Sequence, residues 1–568
     1  MIPDLNFFKA AALLCCFAVF YLISIQETPI YDETEGQYAG AVRAMTSYGE
    51  IPTNNQIPRL QKPPLTYWLM KLSGHFIHDQ ELAMRLPFVI ALLGLLLMTY
   101  AIGAEVMDAG RGCAAMTMMG VMFGLFIFGR MIMPEILLSL FMSLTFWASI
   151  RALRAASYPA RRNWWTLVWG MMAMGSFAKG FHGMLWPLMV LGLARILEIF
   201  QRDSWAGFWS IRNLVLFLGI TLPWYILVEV KYPGFIRDNF WNEQMGHALD
   251  FKNPPTYSRV PFVHFWFQHL VLLFPALLLI PHALKSFELT RDQYSQRQAR
   301  KLLLLIPLVV FVTSSFSARQ DYYTMSSWFA VAILVVVGLD QRTHSRWLLF
   351  PWWILGGLGL ALLIVWKIEG GNNPSHFRSD TSDHLFSILA NLPVEIKPLL
   401  LVSGATLLMG SLIGWILWKN RLTTWISIAL AVAMSGPLWG AGKGFKILAE
   451  SFSLQKTALT LQTMNETTVV VDGPFQLASS LFYYLEKPIQ FVRSNSEAEF
   501  ATRVYGIGRE RYWSIEDFMG RWNSNESMAI IMSEKDVGFW KEKMGERFFE
   551  IPEGKSGSRV LVLNHGSR

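Results

Sequence analysis

Tyr31-Asp32-Glu33 sits just past the first apolar run of the chain, and after a polar stretch Gln61-Lys62-Pro63-Pro64-Leu65 leads into the next apolar segment. Carboxylates and an ammonium at the mouths of membrane spans suit one kind of chemistry: the cation holds a phosphate carried on a lipid while a carboxylate activates an acceptor hydroxyl. The same residues also read as interfacial anchors, because long charged side chains near span ends reach to water.

Two more polar islands carry similar residues. In Asn239-Phe240-Trp241-Asn242-Glu243-Gln244-Met245-Gly246-His247, Glu243 and His247 stand at i and i+4 and would share one helical face, as an acid/base pair or two metal ligands would. Two ligands are a weak metal signal, and a solvated loop is an equal reading. In Ser315-Phe316-Ser317-Ala318-Arg319-Gln320-Asp321-Tyr322-Tyr323, the planar fork of Arg319 matches phosphate oxygens, although Asp321 could instead pair with it. Arg130, Glu135 and Lys179 lie at span ends on the same face. Charges so close to a membrane are functional suspects, yet each also reads as an ion-paired structural residue.

Spans must position these groups. Of 568 residues, 53% are hydrophobic and only 16% charged, which excludes an ordinary soluble domain. The net charge of +8 is not gathered into a basic stripe interleaved with aromatics, so nucleic acid is not an expected partner. Cys15, Cys16 and Cys113 fall in apolar runs and offer neither a disulfide framework nor metal spacing. Apolar segments near 10–25, 86–104, 113–128, 133–150, 164–178, 182–197, 213–230, 263–283, 302–316, 323–339, 347–366, 398–418 and 422–440 give about thirteen transmembrane helices. The first, with Lys9 and no small-residue cleavage site, reads as a retained anchor, and 164–197, broken at Lys179-Gly180, as a span pair or a re-entrant hairpin. With a cytoplasmic N-terminus, Lys and Arg are about twofold denser in the cytoplasmic segments, as the positive-inside rule requires. An odd span count then places the C-terminus outside the cytoplasm.

The predicted architecture is mostly α: a polytopic membrane domain over 1–441, with noncytoplasmic loops 26–85, 231–262 and 367–397, and a small α/β domain over 442–568. The latter rests on β-rich runs at 468–471, 489–492, 528–532 and 559–563, with helical segments near 475–486 and 535–546. None of its strands is followed by a glycine-rich phosphate loop, so no chemistry is placed there. Tyr38, Ala41, Val42 and Met45 recur at helical spacing, predicting an amphipathic helix lying in the interface over 35–48. Pro63-Pro64 predicts a helix starting at Leu65, with Lys62 near its positive end.

Tyr31-Asp32-Glu33, the run Lys62 to Trp68, Ala83-Met84-Arg85-Leu86-Pro87, Ala178-Lys179-Gly180, Leu222-Pro223-Trp224-Tyr225 and Asn242-Glu243 occur in the order seen in polyprenyl-phosphate-dependent glycosyltransferases of the GT-C class. Over roughly 10–440 the chain resembles the 4-amino-4-deoxy-L-arabinose transferase family, a distant relative of protein O-mannosyltransferases. The resemblance implies inverting transfer of a sugar from undecaprenyl phosphate to lipid A or another envelope acceptor, at the periplasmic face of a bacterial inner membrane. It implies Asp32 and Glu33 as catalytic carboxylates, and Lys62, Arg85 and Arg319 as ligands of the donor phosphate. Glu35, Gln61, Tyr67, Lys179, Glu243, His247 and Tyr322 complete the expected site. The chain departs from the family pattern at Glu35, where an arginine is usual, at Gln61 in place of glutamate, and at Gln244 in place of histidine. A divalent metal, with Glu243 and His247 as its candidate ligands, is the one cofactor left open. Protein O-glycosyl transfer is the alternative activity, and transport of lipid-linked sugars a more remote one, since no paired halves with matching helix breaks are visible.

Overall fold

The computed structural model describes residues 5–249, 251–254, 260–286, 294–317, 319–339, 345–368, 394–422, 425–464, 467–495 and 499–565. Among them, seven helices are long and apolar enough to cross a membrane, or nine if each of two bent pairs makes one span. The chain is a multi-pass membrane protein. Gln80–Val106 illustrates the local logic. Asp79 caps it by accepting from the Leu82 amide at 3.0 Å, and its 27 residues reach about 40 Å, more than a bilayer core needs.

The spans expected near 113–128 and 263–283 are the bent pairs: Ala109–Gly120 with Phe123–Gly129 at 66°, and Phe262–Leu272 with Ala276–Leu284 at 88°. Those near 164–178, 182–197, 323–339 and 422–440 coincide with helices Tyr158–Lys179, His182–Ile196, Tyr323–Val337 and Ile426–Ile447, which do not reach the same length and apolarity. About thirteen crossings therefore stays a sequence expectation. Tyr158–Lys179 and His182–Ile196 form a tight pair that reverses at Gly180, whose φ of 116° suits glycine. A Cβ at Gly183 would lie 2.2 Å from the Ser176 amide, so the two backbones cross in direct contact. Small residues perform the same service where Lys397–Lys419 meets Ile426–Ile447: a Cβ on Gly410 would lie 2.5 Å from that of Ala433. The predicted 367–397 loop lies almost wholly outside the described residues.

Helix Thr34–Ala44 departs from its expected setting. Protein covers most of it. Glu35, Gly36 and Tyr38 to Val42 are buried, because the C-terminal domain packs onto it. Gly36 and Gly40 leave one face of the helix bare, and Cβ atoms there would lie 2.4 Å from the Ser479 carbonyl carbon and 2.5 Å from the Phe482 Cβ. A short hairpin, β1 (Thr53–Asn54) with β2 (Ile57–Pro58), follows, and helix Leu65–Gly74 starts directly after Pro63-Pro64.

The C-terminal region holds a six-stranded sheet. Its strands β3 (Thr468–Asp472), β4 (Ile489–Val492), β5 (Tyr512–Trp513), β6 (Met528–Ser533), β7 (Phe549–Glu550) and β8 (Arg559–Leu563) run in the order β5-β4-β3-β6-β8-β7. The β3, β4, β5 and β6 pairings are parallel, whereas β8 runs antiparallel to β6 and β7. Alternation along β3 sends Val469 and Val471 into one apolar layer with Leu461 and Phe475, and Val470 into another with Phe518, Trp522 and Trp540. The two short edge strands carry too little hydrophobic pattern to be read from sequence. Helix Ile426–Ile447 continues unbroken past 441, joining membrane bundle to sheet without a linker at that point.

Candidate active site

Glu33, Lys62, Glu135, Lys179, Glu243 and Asp321, from connections and span ends far apart in the chain, line one cavity of about 320 Å³. That size suits a small ligand. Phe475, Gln476 and Glu499 of the C-terminal domain, in which no chemistry was expected, also line it.

The Asp32-Glu33 pair is split by its backbone. Glu33 has φ 62° and ψ −105°, a sparsely populated conformation for a side-chain-bearing residue, held by its amide donating to the Gln476 carbonyl at 2.9 Å. This turn directs Glu33 to the cavity. Partial desolvation raises its carboxyl pKa although the residue stays exposed, and neighbouring Asp32 and Asp321 add to the rise. Asp32 does not line the cavity, contrary to expectation. It is ion-paired with Arg559 of β8 and accepts from the Ser480 amide at 2.8 Å, while its own amide donates to the Phe452 carbonyl at 2.7 Å. Buried carboxylates need partners, and the C-terminal domain supplies them first.

Lys62 has no such partner. Among the described residues, no carboxylate lies within ion-pairing distance of its ammonium, whereas Lys179 meets Glu135 at 2.8 Å and Lys252 meets Glu243 at 2.9 Å. Burial lowers the Lys62 pKa to about 8, with neighbouring Lys179 and Lys252 adding to the fall and Glu243 opposing it. The cavity therefore holds a largely protonated, unpaired cation at neutral pH. An anion entering it would relieve a costly charge.

Glu243 sits in the wide helical turn Asn239–Met245, and His247 follows at 3.7 Å. Lys252 approaches both, at 2.9 Å from Glu243 and 3.3 Å from the His247 ring nitrogen. Burial and Lys252 together push the His247 pKa down to about 3, so the ring is neutral. Burial would raise the Glu243 pKa, but the Lys252 ammonium reverses that and leaves it lowered. An ammonium thus stands where a metal would bind these two side chains, and among the described residues no group of three or more His, Cys, Asp or Glu could hold an ion. The pair does not fit the metal site that sequence left open.

The remaining expected residues divide. Gln61, Lys179 and Tyr322 line the cavity. Arg85, Glu35, Tyr67 and Arg319 do not. Arg85 and Glu35 form a closed ion pair inside the protein, with Arg85 Nε donating to Glu35 Oε1 at 2.9 Å. Glu35 also accepts from the Tyr31 and Ile132 amides at 3.0 Å each. This pair staples the acidic loop to the bundle. Tyr67 accepts from Arg59 Nε at 2.9 Å and so orients a cation that does line the cavity. Arg319 donates to the Val260 and Ser315 carbonyls at 3.0 and 3.2 Å, while Asp321, two residues on, reaches the cavity in its place. Arg130, at another span end, is buried and donates to the Ser24 carbonyl at 3.0 Å. Sequence reasoning missed Arg59, Lys252 and Glu499. The first two lie in loops already marked as polar, but nothing local distinguishes Glu499.

Residues 61–227 match the family model described as dolichyl-phosphate-mannose-protein mannosyltransferase. The undecaprenyl phosphate-alpha-4-amino-4-deoxy-L-arabinose arabinosyl transferase of Pseudomonas paraeruginosa is 28% identical over 345 residues, which is 59% of this chain and 60% of that protein. The chain thus spans about three fifths of that relative's length in the matched stretch. Arabinosyl transferase 1 of Pseudomonas fluorescens, of the same description, is 24% identical over 90% of this chain and 86% of its own. The crystal structure of ArnT from Cupriavidus metallidurans bound to undecaprenyl phosphate superposes with a TM-score of 0.73 at 19% identity, covering 98% of each chain. This chain has the GT-C fold. The apo crystal structure of the same ArnT agrees, with a TM-score of 0.75 and complete coverage of both chains at 18% identity.

Proposed function

We propose that this chain is an inverting glycosyltransferase that moves a sugar from undecaprenyl phosphate to an envelope acceptor, with lipid A the foremost candidate. The observation that carries this reading is Lys62: a half-buried cation with no carboxylate in ion-pairing distance among the described residues, in the same cavity as Glu33. A glycosyl phosphate departs as an anion, and an ammonium placed in advance beside its oxygens stabilises charge that grows in the transition state. The acceptor hydroxyl becomes more acidic as it attacks, so one carboxylate of raised pKa, Glu33, suffices as base. In this reading Asp32 is a positioning residue that fixes the strained turn, and Arg85 acts through Glu35 in the same way.

The similarity to undecaprenyl-phosphate arabinosyl transferases supports the donor class, and 4-amino-4-deoxy-L-arabinose is the first sugar to test. The bias of basic residues supports a cavity on the periplasmic side of the inner membrane, with the N-terminus cytoplasmic. The family model at 61–227 favours a second reading, transfer to protein hydroxyls.

The deciding experiment incubates the purified protein in nanodiscs with undecaprenyl phosphate-linked 4-amino-4-deoxy-L-arabinose and an envelope extract, then identifies products by mass spectrometry. A glycosylated lipid is expected, with Lys62→Ala slower by about 10²- to 10³-fold. Glycosylated protein would favour the second reading. Unaltered transfer by the variant, or movement of the donor lipid across a bilayer with no glycosidic bond formed, would overturn the proposal.

A further inference from the structure

Glu499 belongs to the C-terminal domain yet lines the cavity. It immediately precedes helix Phe500–Tyr505 but makes no capping hydrogen bond to that helix with its side chain. Phe500 and Ala501 instead pack against Ile57, Leu60, Trp224 and Phe235, tying this segment to the loops and span end of the membrane domain. The carboxyl is thereby held against the cavity wall, 9% exposed. Its Oε2 is enclosed and has no hydrogen-bond partner among the described residues. Such an oxygen costs stability unless something else donates to it.

The charged and titratable groups that act on it are Arg59, Lys62, Tyr67, Glu243, Lys252 and Tyr512. Burial raises its pKa to about 7, with Arg59 opposing the rise. The carboxyl therefore both accepts and donates hydrogen bonds near neutral pH, which suits the O–H and N–H groups of a saccharide.

Resting on the donor class proposed above, we infer that Glu499 is a sugar-binding residue contributed by the C-terminal domain, whose orphan carboxylate oxygen accepts from a hydroxyl or amino group of the transferred sugar. The terminal torsion of a glutamate is soft, so the carboxyl can turn toward that group as it enters. Lys62 would then hold the lipid phosphate and Glu499 the sugar. This division also gives the C-terminal domain a direct stake in donor selection.

The test measures affinity of the full-length protein in nanodiscs for two probes, undecaprenyl phosphate and undecaprenyl phosphate-linked 4-amino-4-deoxy-L-arabinose. Glu499→Ala should weaken the sugar-bearing lipid about tenfold or more, as loss of one hydrogen bond to a charged group does, and leave the bare lipid unchanged. Lys62→Ala should weaken both. Glu499→Gln, nearly isosteric, should leave the Tm of the ligand-free protein unchanged or raised, because the carboxyl is retained for a ligand and not for folding. Equal losses for both lipids, no loss for either, or a clear fall in Tm for Glu499→Gln would overturn the inference. If the unsubstituted protein bound neither lipid, the donor class itself would fail. A Lys62-dependent bare lipid with no sugar-selective effect at Glu499 would sink this inference alone.

Discussion

At the scale of single residues, the turn at Glu33 separates two carboxylates that are adjacent in sequence. Glu33→Gln should lower turnover by about 10²- to 10⁴-fold with donor affinity retained, the mark of a lost general base. Asp32→Asn breaks the Arg559 pair and so should lower Tm along with activity. Steady-state kinetics and thermal unfolding of the two variants distinguish base from positioning residue; a larger kinetic loss and an unshifted Tm for Asp32→Asn would exchange the roles. Lys62 adds a pH dependence. Its ammonium is charged below a pKa of about 8 and neutral above it, so affinity for undecaprenyl phosphate, whose phosphate takes its second charge at about pH 6, should be greatest from about pH 7 up to that pKa. Above it, affinity should fall about tenfold per unit, and Lys62→Arg, charged throughout, should abolish the fall. Binding isotherms from pH 6 to 10 check this, and a flat profile for the unsubstituted protein would count against Lys62 as the phosphate ligand.

At the scale of elements, helix Thr34–Ala44 couples the acidic loop to the sheet domain through its glycine face. Gly36→Ala puts a methyl into the Ser479–Ser480 backbone, which cannot retreat as a flexible side chain would. A loss of about 1–3 kcal/mol is expected, measured as a lowered Tm, together with reduced transfer because Glu33 moves with the helix. Retained Tm and activity would show that the domain does not brace the loop.

Part of this was legible in the sequence. Pro63-Pro64 announced the helix at Leu65, and the β-rich runs at 468–471, 489–492, 528–532 and 559–563 announced four strands. The setting of Thr34–Ala44 was hidden, because a bare glycine face reads the same whether lipid or protein covers it. Among site residues, Lys62, Lys179 and Glu243 were visible as charges at the ends of apolar runs. That pattern could not tell them from Arg85, whose charge is spent on Glu35 inside the protein. Glu499 and Arg559 were invisible, since their contacts join segments hundreds of residues apart and leave no local period.

At the scale of the whole molecule, the site exists only where bundle and sheet meet. Arg559→Ala should therefore loosen the sheet domain and slow transfer, with Arg559→Lys restoring part of the loss through the remaining charge. Limited proteolysis alongside the transfer assay would report both effects, and an unaltered digestion pattern with full activity would remove the bridge from the mechanism. The chain should also lie with this end outside the cytoplasm: a membrane-impermeant maleimide should label Lys535→Cys in cells with a permeabilised outer membrane and an intact inner one, and labelling only after lysis would reverse the topology. What all of this depends on is the position of one phosphate. A cryo-electron microscopy structure of the protein with undecaprenyl phosphate locates it directly. The phosphate is expected within hydrogen-bonding distance of Lys62 Nζ, about 3 Å, with the prenyl chain leaving toward the bilayer. A phosphate seated elsewhere, with Lys62 still unpaired, would contradict the assignment.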